Sequence, residues 1–299
     1  MASRTLTLIA DGCSYLECPR WHEGRLWMSD LYTGRVLAVT SDGDVDTVAH
    51  VPGQPAGLGW LPDGRLLVVS MRDRRLLRRE PTGALVEHAD LSRLVRWHLN
   101  DMVVDAQGRA YVGNSGFDLM RAAPIRSAEL VRVDADGTAV VVATDLNFPN
   151  GTVLFPDGKL LVVAETIGQR LTAFDVADDG SVRNRRTWAD FGGPPDTDVL
   201  ADALVTARLA PDGICLDAEG AIWVADALFH RVLRVREGGE VLEEVATGDL
   251  AVFACMLGGH DGRTLYLCVA PSFYEHELVN TRDAKLLACR VDVPHAGLP

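Results

Sequence analysis

The sequence lacks the features that would place a protein in a membrane or on nucleic acid. It contains no run of about 18 apolar residues, which removes a spanning helix. Positive charge is scarce: 29 Lys and Arg stand against 42 Asp and Glu, for a formal net charge of −13. Nucleic-acid partners need a basic face, so that class is excluded. The one local exception, Arg72, Arg74, Arg75, Arg78 and Arg79, alternates with apolar residues and reads as the solvated face of strands. No CxxC pair occurs among the six cysteines (13, 18, 215, 255, 268 and 289), so zinc knuckles and redox motifs are absent. Most lie in apolar strand-like runs, where free Cys behaves as a small hydrophobe, and this points to a reducing compartment. The N-terminal MASRTLTLIADG has one Arg and too short an apolar stretch for a signal peptide. A cytoplasmic location is therefore expected. No Pro/Gly/Ser-rich linker divides the 299 residues, helical periodicity is nearly absent, and there is no G-x-S-x-G nucleophile elbow.

What is present is a repeat. A short apolar run, a polar turn with Gly, an apolar strand, a second turn and another strand recur around Gly24, Gly64, Gly108, Gly158, Gly220 and Gly262. Successive glycines are 40, 44, 50, 62 and 42 residues apart. The turns are of the x-Gly kind that close tight hairpins, and the flanking strands are rich in Val, Leu, Trp and Tyr. Units of this length read as propeller blades of four antiparallel strands. The expectation is an all-β, six-bladed β-propeller forming a single domain over residues 1–299. TLTLI (Thr5–Ile9) and LLACRV (Leu286–Val291) lie outside the complete repeats, and pairing them in one blade would close the ring and remove sheet edges. Asp30/Arg35, Ser70/Arg75, Glu165/Arg170 and Asp226/Arg231, each five residues apart, repeat with the blades and read as structural pairs across a turn.

Blades are related by rotation, so equivalent repeat positions form a ring about the axis. Seven or eight residues before the turn glycine stand Glu17, Asn100, Asn150 and Asp212, with Ala56 and Ala254 in the other two blades. Taken singly, Asn150-Gly151 and Asp212-Gly213 are turn dipeptides. Four oxygen-bearing residues at one register, a Glu among them, point instead to a shared axial site. Two carboxylates and two amides make a hard-oxygen set suited to Ca²⁺, Mg²⁺ or Mn²⁺, with Zn²⁺ also admissible. Long insertions at Phe117–Glu129, Gly192–Ala210 and Pro271–Ala284 read as binding loops, the second carrying a short helix over the channel mouth. Phe117, Asp118, Met120, Phe273 and Tyr274 are candidate pocket residues. Cys18, beside Glu17, reads as a space-filler.

The segments ECPRW (Glu17–Trp21), LND (Leu99–Asp101), FPNG (Phe148–Gly151) and PDGI (Pro211–Ile214) resemble those of the gluconolactonase/regucalcin (senescence marker protein) family. The AEGAIWVAD strand that follows PDGI matches as well, so the resemblance covers essentially the whole chain. It implies a six-bladed propeller with one divalent ion that hydrolyses sugar lactones or related esters. Glu17, Asn150 and Asp212 would be the metal ligands, with Asn100 beside them, contacting substrate or reaching the metal through water. Where animal members have an Arg two residues before the counterpart of Asn100, this chain has His98. That departure counts against a sugar-acid lactone, because a fork of hydroxyl-binding donors is lost.

The chemistry expected from this set is metal-assisted ester hydrolysis, the ion polarising a carbonyl and acidifying water. Asp212 is the candidate general base as well as a ligand, and Asn100 the candidate oxyanion donor. His98 either orients substrate or shuttles a proton, or is a satisfied histidine at a strand end. The reading is a lactonase using one divalent metal (Ca²⁺ first), with a small lactone or ester as partner, and a monomer or weak homo-oligomer. The alternatives are a phosphotriester or fluorophosphate hydrolase, and a non-catalytic, metal-binding regulatory propeller.

Overall fold

All six repeat glycines, Gly24, Gly64, Gly108, Gly158, Gly220 and Gly262, sit at positive φ between 69° and 83°. That conformation costs Gly little and turns the chain from the first strand of each unit into the second. At Gly64, for example, the amide donates to the Leu61 carbonyl at 2.9 Å to close the turn. A computed structural model describes residues 4–297. In it the chain makes 24 strands in six four-stranded antiparallel sheets, a six-bladed β-propeller.

Strand β1 (Thr7–Cys13) precedes the first complete blade, which is β2 (Leu16–His22), β3 (Arg25–Asp30), β4 (Arg35–Val39) and β5 (Val45–His50). The second blade is β6 (Pro55–Trp60), β7 (Leu66–Ser70), β8 (Arg75–Arg79) and β9 (Leu85–Asp90), and the third β10 (Leu99–Val104), β11 (Ala110–Asn114), β12 (Ala128–Val133) and β13 (Ala139–Leu146). The fourth is β14 (Pro149–Leu154), β15 (Leu160–Glu165), β16 (Arg170–Val176) and β17 (Val182–Asp190). The fifth is β18 (Pro211–Leu216), β19 (Ile222–Asp226), β20 (Arg231–Val235) and β21 (Val241–Ala246). The last is β22 (Ala251–Gly258), β23 (Thr264–Ala270) and β24 (Ala284–Arg290), with β1 added as its outer strand. Thr7 pairs with Ala288 and Leu8 with Leu287, so the chain ends close the ring as the sequence pattern suggests.

Burial falls from the axis outwards. Every residue of β18 and β22 is buried, whereas β5 and β17 present mostly exposed or half-buried positions. The apolar faces of neighbouring blades interdigitate: Val36 and Val51 of the first blade's side pack with Leu58 and Val68 of the second. Each such fully buried aliphatic side chain contributes roughly 1.5–3 kcal/mol. The propeller is therefore held between blades by hydrophobic packing and within blades by strand pairing.

Three of the four repeated acid–arginine pairs form: Asp30 with Arg35 at 2.7 Å, Glu165 with Arg170 at 2.8 Å and Asp226 with Arg231 at 3.0 Å. The Ser70/Arg75 counterpart does not; Arg75 instead meets Glu87 at 3.2 Å. These acids do more than pair. Asp30 accepts from the backbone amides of Ser14 (2.9 Å) and Tyr15 (3.1 Å), Glu165 from Asn147 (2.6 Å), and Asp226 from Ala210 (3.1 Å). Each thus holds the segment leading into an inner strand, two or three residues before Glu17, Asn150 and Asp212 respectively.

Two short helices lie in the insertions, α1 (Leu200–Thr206) in the second and α2 (Glu275–Leu278) in the third. The first insertion carries a 3-10 turn at Leu119–Arg121. Among the described residues no helix is long and apolar enough to cross a membrane. All six cysteines are free and buried.

Candidate functional site

The inner strand of every blade has one residue more than its partner near the same level. In β2 the pairing steps from Glu17↔Ser29 to Arg20↔Trp27, in β14 from Pro149↔Glu165 to Thr152↔Val163, and in β18 from Pro211↔Asp226 to Ile214↔Val224. The same slip occurs in β6, β10 and β22. A bulge re-aims side chains, and here it falls on or beside Glu17, Asn100, Asn150 and Asp212. Cys18, the residue after Glu17, takes the strained positive φ of 51° and donates its amide to Glu17 Oε2 at 3.2 Å.

The Asn-Gly and Asp-Gly dipeptides are therefore not turns; they lie inside bulged inner strands. A Cβ on Gly151 would stand 2.5 Å from the Asp212 carbonyl oxygen and 2.6 Å from the Ile214 nitrogen. Only glycine lets β14 and β18 approach this closely, which brings Asn150 and Asp212 together. Asn150 donates from Nδ2 to Thr166 Oγ1 at 3.1 Å, and Thr166 in turn donates to the Pro211 carbonyl at 2.8 Å. The amide is thereby fixed with its nitrogen turned toward Thr166.

Glu17, Asn100, Asn150 and Asp212 all line one cavity of about 150 Å³ at this end of the channel. Glu17, Asn150 and Asp212 are 7%, 5% and 6% exposed, which makes their charge state the central question. Burial pushes the Glu17 carboxyl well above its usual range, and the nearby Asp212 and Asp101 carboxylates push it further. Asp212 is raised by burial and by Asp101, partly offset by the Asn150 amide. Asp101 has its own counter-ion: Arg20 reaches it at 2.6 Å in a pair whose side chains are only 6% and 3% exposed. Glu17 and Asp212 have no cationic side chain paired with them among the described residues, and Asp212 Oδ1 makes no hydrogen bond. Two desolvated carboxylates left unpaired cost several kcal/mol each.

That electrostatic debt is the test of whether a divalent cation fits. Among the described residues no three His, Cys, Asp or Glu side chains converge as a metal cage. The donors are two carboxylates plus amide oxygens, with one carboxylate oxygen unpartnered. Hard oxygen donors of this kind, carrying two uncompensated negative charges, fit an ion such as Ca²⁺ or Mg²⁺ and disfavour soft metals.

Residues 16–271 match the family described as SMP-30/gluconolactonase/LRE-like region. The chain belongs to that family. It is 28% identical over 304 residues to a 6-deoxy-6-sulfogluconolactonase of Pseudomonas putida, covering 95% of this chain and 93% of the relative. A pentonolactonase of Haloferax volcanii is 27% identical over 309 residues, covering 99% and 97%. Among solved structures, a calcium-binding protein, regucalcin, of Agrobacterium tumefaciens superimposes with a TM-score of 0.79 at 18% identity, covering 100% and 99% of the two chains. At that identity the likeness shows the shared propeller and no more. The four oxygen-bearing positions read from the repeat all reach the cavity, whereas Ala56 and Ala254 of the same register do not line it.

His98 and Asp118 line the cavity, as do Met120 and Phe273. His98 stacks on Trp97 with ring centroids 4.9 Å apart, and burial together with Arg72 lowers its pKa, Asp118 partly opposing them. Phe117 does not reach the cavity wall. It is 4% exposed and packs edge-on behind Phe148, 6.2 Å between centroids, in a cluster with Ile167 and Leu200. Tyr274 likewise packs against Phe273 with tilted rings, 4.2 Å between centroids, and is not on the wall. In the sixth blade Phe253 lines the cavity and Ala254 is buried, since β22 has eight residues where β6, β10, β14 and β18 have six, so a count back from the turn glycine stops short of the residue on the wall.

Four participants were missed by the repeat. Arg72, read as part of a solvated face, lines the mouth and pairs with Glu275 of α2. Tyr15 lines the cavity beside Glu17, two residues ahead of it in the same strand approach. Asp101 and Arg20 form the buried pair under the site. The signal for Asp101 and Arg20 lies within LND and ECPRW themselves, where charged residues sit at positions that a buried inner strand would otherwise fill with apolar ones. Nothing in the sequence links Arg72 to Glu275, 203 residues away.

Proposed function

We propose that this protein is a hydrolase that opens a lactone or related cyclic ester with water, using one divalent cation held by Glu17, Asn150 and Asp212. The carrying observation is the pair of buried, uncompensated carboxylates, Glu17 and Asp212, at the floor of a cavity sized for a small ring. The lactonase names of the two full-length relatives support the choice of reaction. The ion would supply Lewis-acid polarisation of the ester carbonyl and would lower the pKa of water.

The chain's own groups would divide the remaining work. Asp212, with Oδ1 free of hydrogen bonds, takes the proton of the attacking water. The Asn100 amide, at the rim of the same floor, donates to the carbonyl oxygen as it gains negative charge. The ring C–O bond then breaks, and the departing alkoxide receives the proton from Asp212 to give a hydroxy acid. His98 and Asp118 would contact the substrate from the side wall. Phe117 would act only by backing Phe148. In this reading the whole chain works as a single propeller domain, and its free cysteines suit a reducing compartment such as the cytoplasm.

The test is a lactone panel assayed with Ca²⁺, Mg²⁺, Mn²⁺ or Zn²⁺ and after chelation, with Asp212→Ala in parallel. Metal-dependent turnover that Asp212→Ala abolishes supports the reading. Turnover that survives chelation or the substitution refutes it. Tight metal binding without hydrolysis of any ester would instead make the protein a metal-binding regulatory propeller.

A further inference from the structure

The cavity walls above the carboxylate floor are mostly apolar, and most of the polar groups among them are engaged within the protein. Tyr32 donates its hydroxyl to the Phe273 carbonyl at 2.6 Å. Gln54 donates from Nε2 to Glu275 at 3.2 Å, its Oε1 remaining without a partner, and Arg72 pairs with the same carboxylate. Ser115 Oγ donates to the Phe117 carbonyl at 3.2 Å, and Asp118 accepts the Arg121 amide at 3.1 Å. His98, Gln54 Oε1 and Asp118 are the wall groups left for a ligand once Asn100 and the floor have met the reacting ester. A polyhydroxylated ring entering this space carries more hydroxyls than these three groups can meet, and would leave the rest against apolar side chains. Each unsatisfied hydroxyl is costly, so such a substrate is selected against.

The apolar surface continues outward. Leu119, Met120, Ile167, Leu204, Leu228 and Phe273 form the side walls. Met120 is 43% exposed at the rim, and beside Leu204 on α1 stands Val205, 86% exposed, with Val199 at 50% just ahead of the helix. An apolar wall that runs from the reacting centre to an exposed apolar collar is built to receive an apolar chain leading away from the ester. The second insertion supplies this collar, and its position is fixed: Leu200 and Ala203 are buried, and the Ile125 amide of the first insertion donates to the Asp198 carbonyl at 2.8 Å.

We infer that the substrates are lactones bearing an apolar substituent, an alkyl chain attached to the ring, and not sugar lactones. The inference rests on the hydrolase reading above. The ester ring sits over Glu17, Asn150 and Asp212 with its carbonyl toward Asn100, and the alkyl chain runs along Leu119 and Leu204 to the collar. The reaction is hydrolysis, consuming one water and yielding the open hydroxy acid.

The test is a series of δ-lactones with alkyl chains lengthened one carbon at a time, run beside glucono-δ-lactone on the full chain with Ca²⁺ present. Each methylene buried along the wall raises kcat/KM about fourfold until the collar is passed. The longer members are expected to exceed glucono-δ-lactone by about a hundredfold or more, the product of several such steps. Leu204→Asp should flatten the dependence on chain length, mainly through KM, reducing the longest member far more than the unsubstituted ring. Met120→Ser, at a more exposed position, should flatten it in part and guards against a folding defect in the helix variant. A flat series, or glucono-δ-lactone as the best substrate, overturns the inference while leaving the hydrolase reading in place. Absence of turnover for every lactone brings down the hydrolase reading itself, and this inference with it.

Discussion

Removing the Arg20 guanidinium should be among the most damaging single changes available outside the hydrophobic core. Arg20 donates to Asp101 Oδ1 at 2.6 Å, to the Met102 carbonyl at 2.5 Å and to the Pro19 carbonyl at 2.8 Å. It joins β2 of the first blade to β10 of the third, and both side chains of the pair are buried. In Arg20→Met the stem of the side chain is kept and only the cation and its donors go. Asp101 is then left buried without its counter-ion, close to two other carboxylates that already lack cationic partners. Breaking a buried pair in this way costs about 3–5 kcal/mol. For a chain of 299 residues, an unfolding entropy of about 2.1 cal/mol/K per residue converts this to a Tm loss of about 5–8 °C. Replacing both partners, Arg20→Met with Asp101→Leu, removes the orphaned charge and should recover most of that loss. The assay is calorimetric or far-UV thermal unfolding of wild type, both single variants and the double variant at one Ca²⁺ concentration. A single variant within about 1 kcal/mol of wild type, or a double variant as unstable as Arg20→Met, would refute the electrostatic account.

Other expectations follow from the same geometry. Asn100→Ala should lower kcat by about 10²–10³ while leaving Ca²⁺-induced stabilisation intact, since the amide is assigned to the developing oxyanion and not to the ion; equal loss of Ca²⁺ binding by calorimetry would move it into the ligand set. Gly151→Ala should destabilise by roughly 1–3 kcal/mol or more, because its Cβ would meet the backbone of β18 at 2.5 Å, and denaturant unfolding will show it. The stability of chelated protein should fall as pH rises from about 5 to about 8. Glu17 and Asp212 have raised folded pKa values, so in that range the native state holds more protons than the unfolded one; Asp226, raised because burial outweighs Arg231, acts in the same direction. Asp30 and Glu165 have lowered values, hydrogen bonds and Arg partners outweighing burial, and their contribution disappears only below the ordinary carboxylate range. Added Ca²⁺ should replace the missing protons, so the Tm gap between metal-loaded and chelated protein should widen with pH; a gap independent of pH would contradict the assignment.

Much of this molecule was open to inspection in the chain alone, because a propeller repeats its local code. The turn glycines recur with each blade since one backbone conformation is needed at the same point of every hairpin. The closing strands, the acid–arginine pairs and the short helix of the second insertion are likewise local patterns in apolar and charged residues. Rotation then converts a shared register into shared space, which is why Glu17, Asn100, Asn150 and Asp212 were recognisable as one ring before any coordinates. The departures arise where the repeat is broken or where partners come from different blades. The longer β22, eight residues against six in β18, puts Phe253, not Ala254, on the wall, because a count back from the turn glycine then reaches a different level of the strand. Phe117 retreats behind Phe148, and Arg72, still exposed, meets Glu275, through contacts that insertion residues make and that carry no periodicity. Above all, the pairing of Asp101 with Arg20 decided which carboxylates are neutralised and which remain. Sequence determined the ring of oxygens; only tertiary packing decided that Glu17 and Asp212 are the two left without a counter-charge, since desolvation and the choice of partner are properties of the assembled interior.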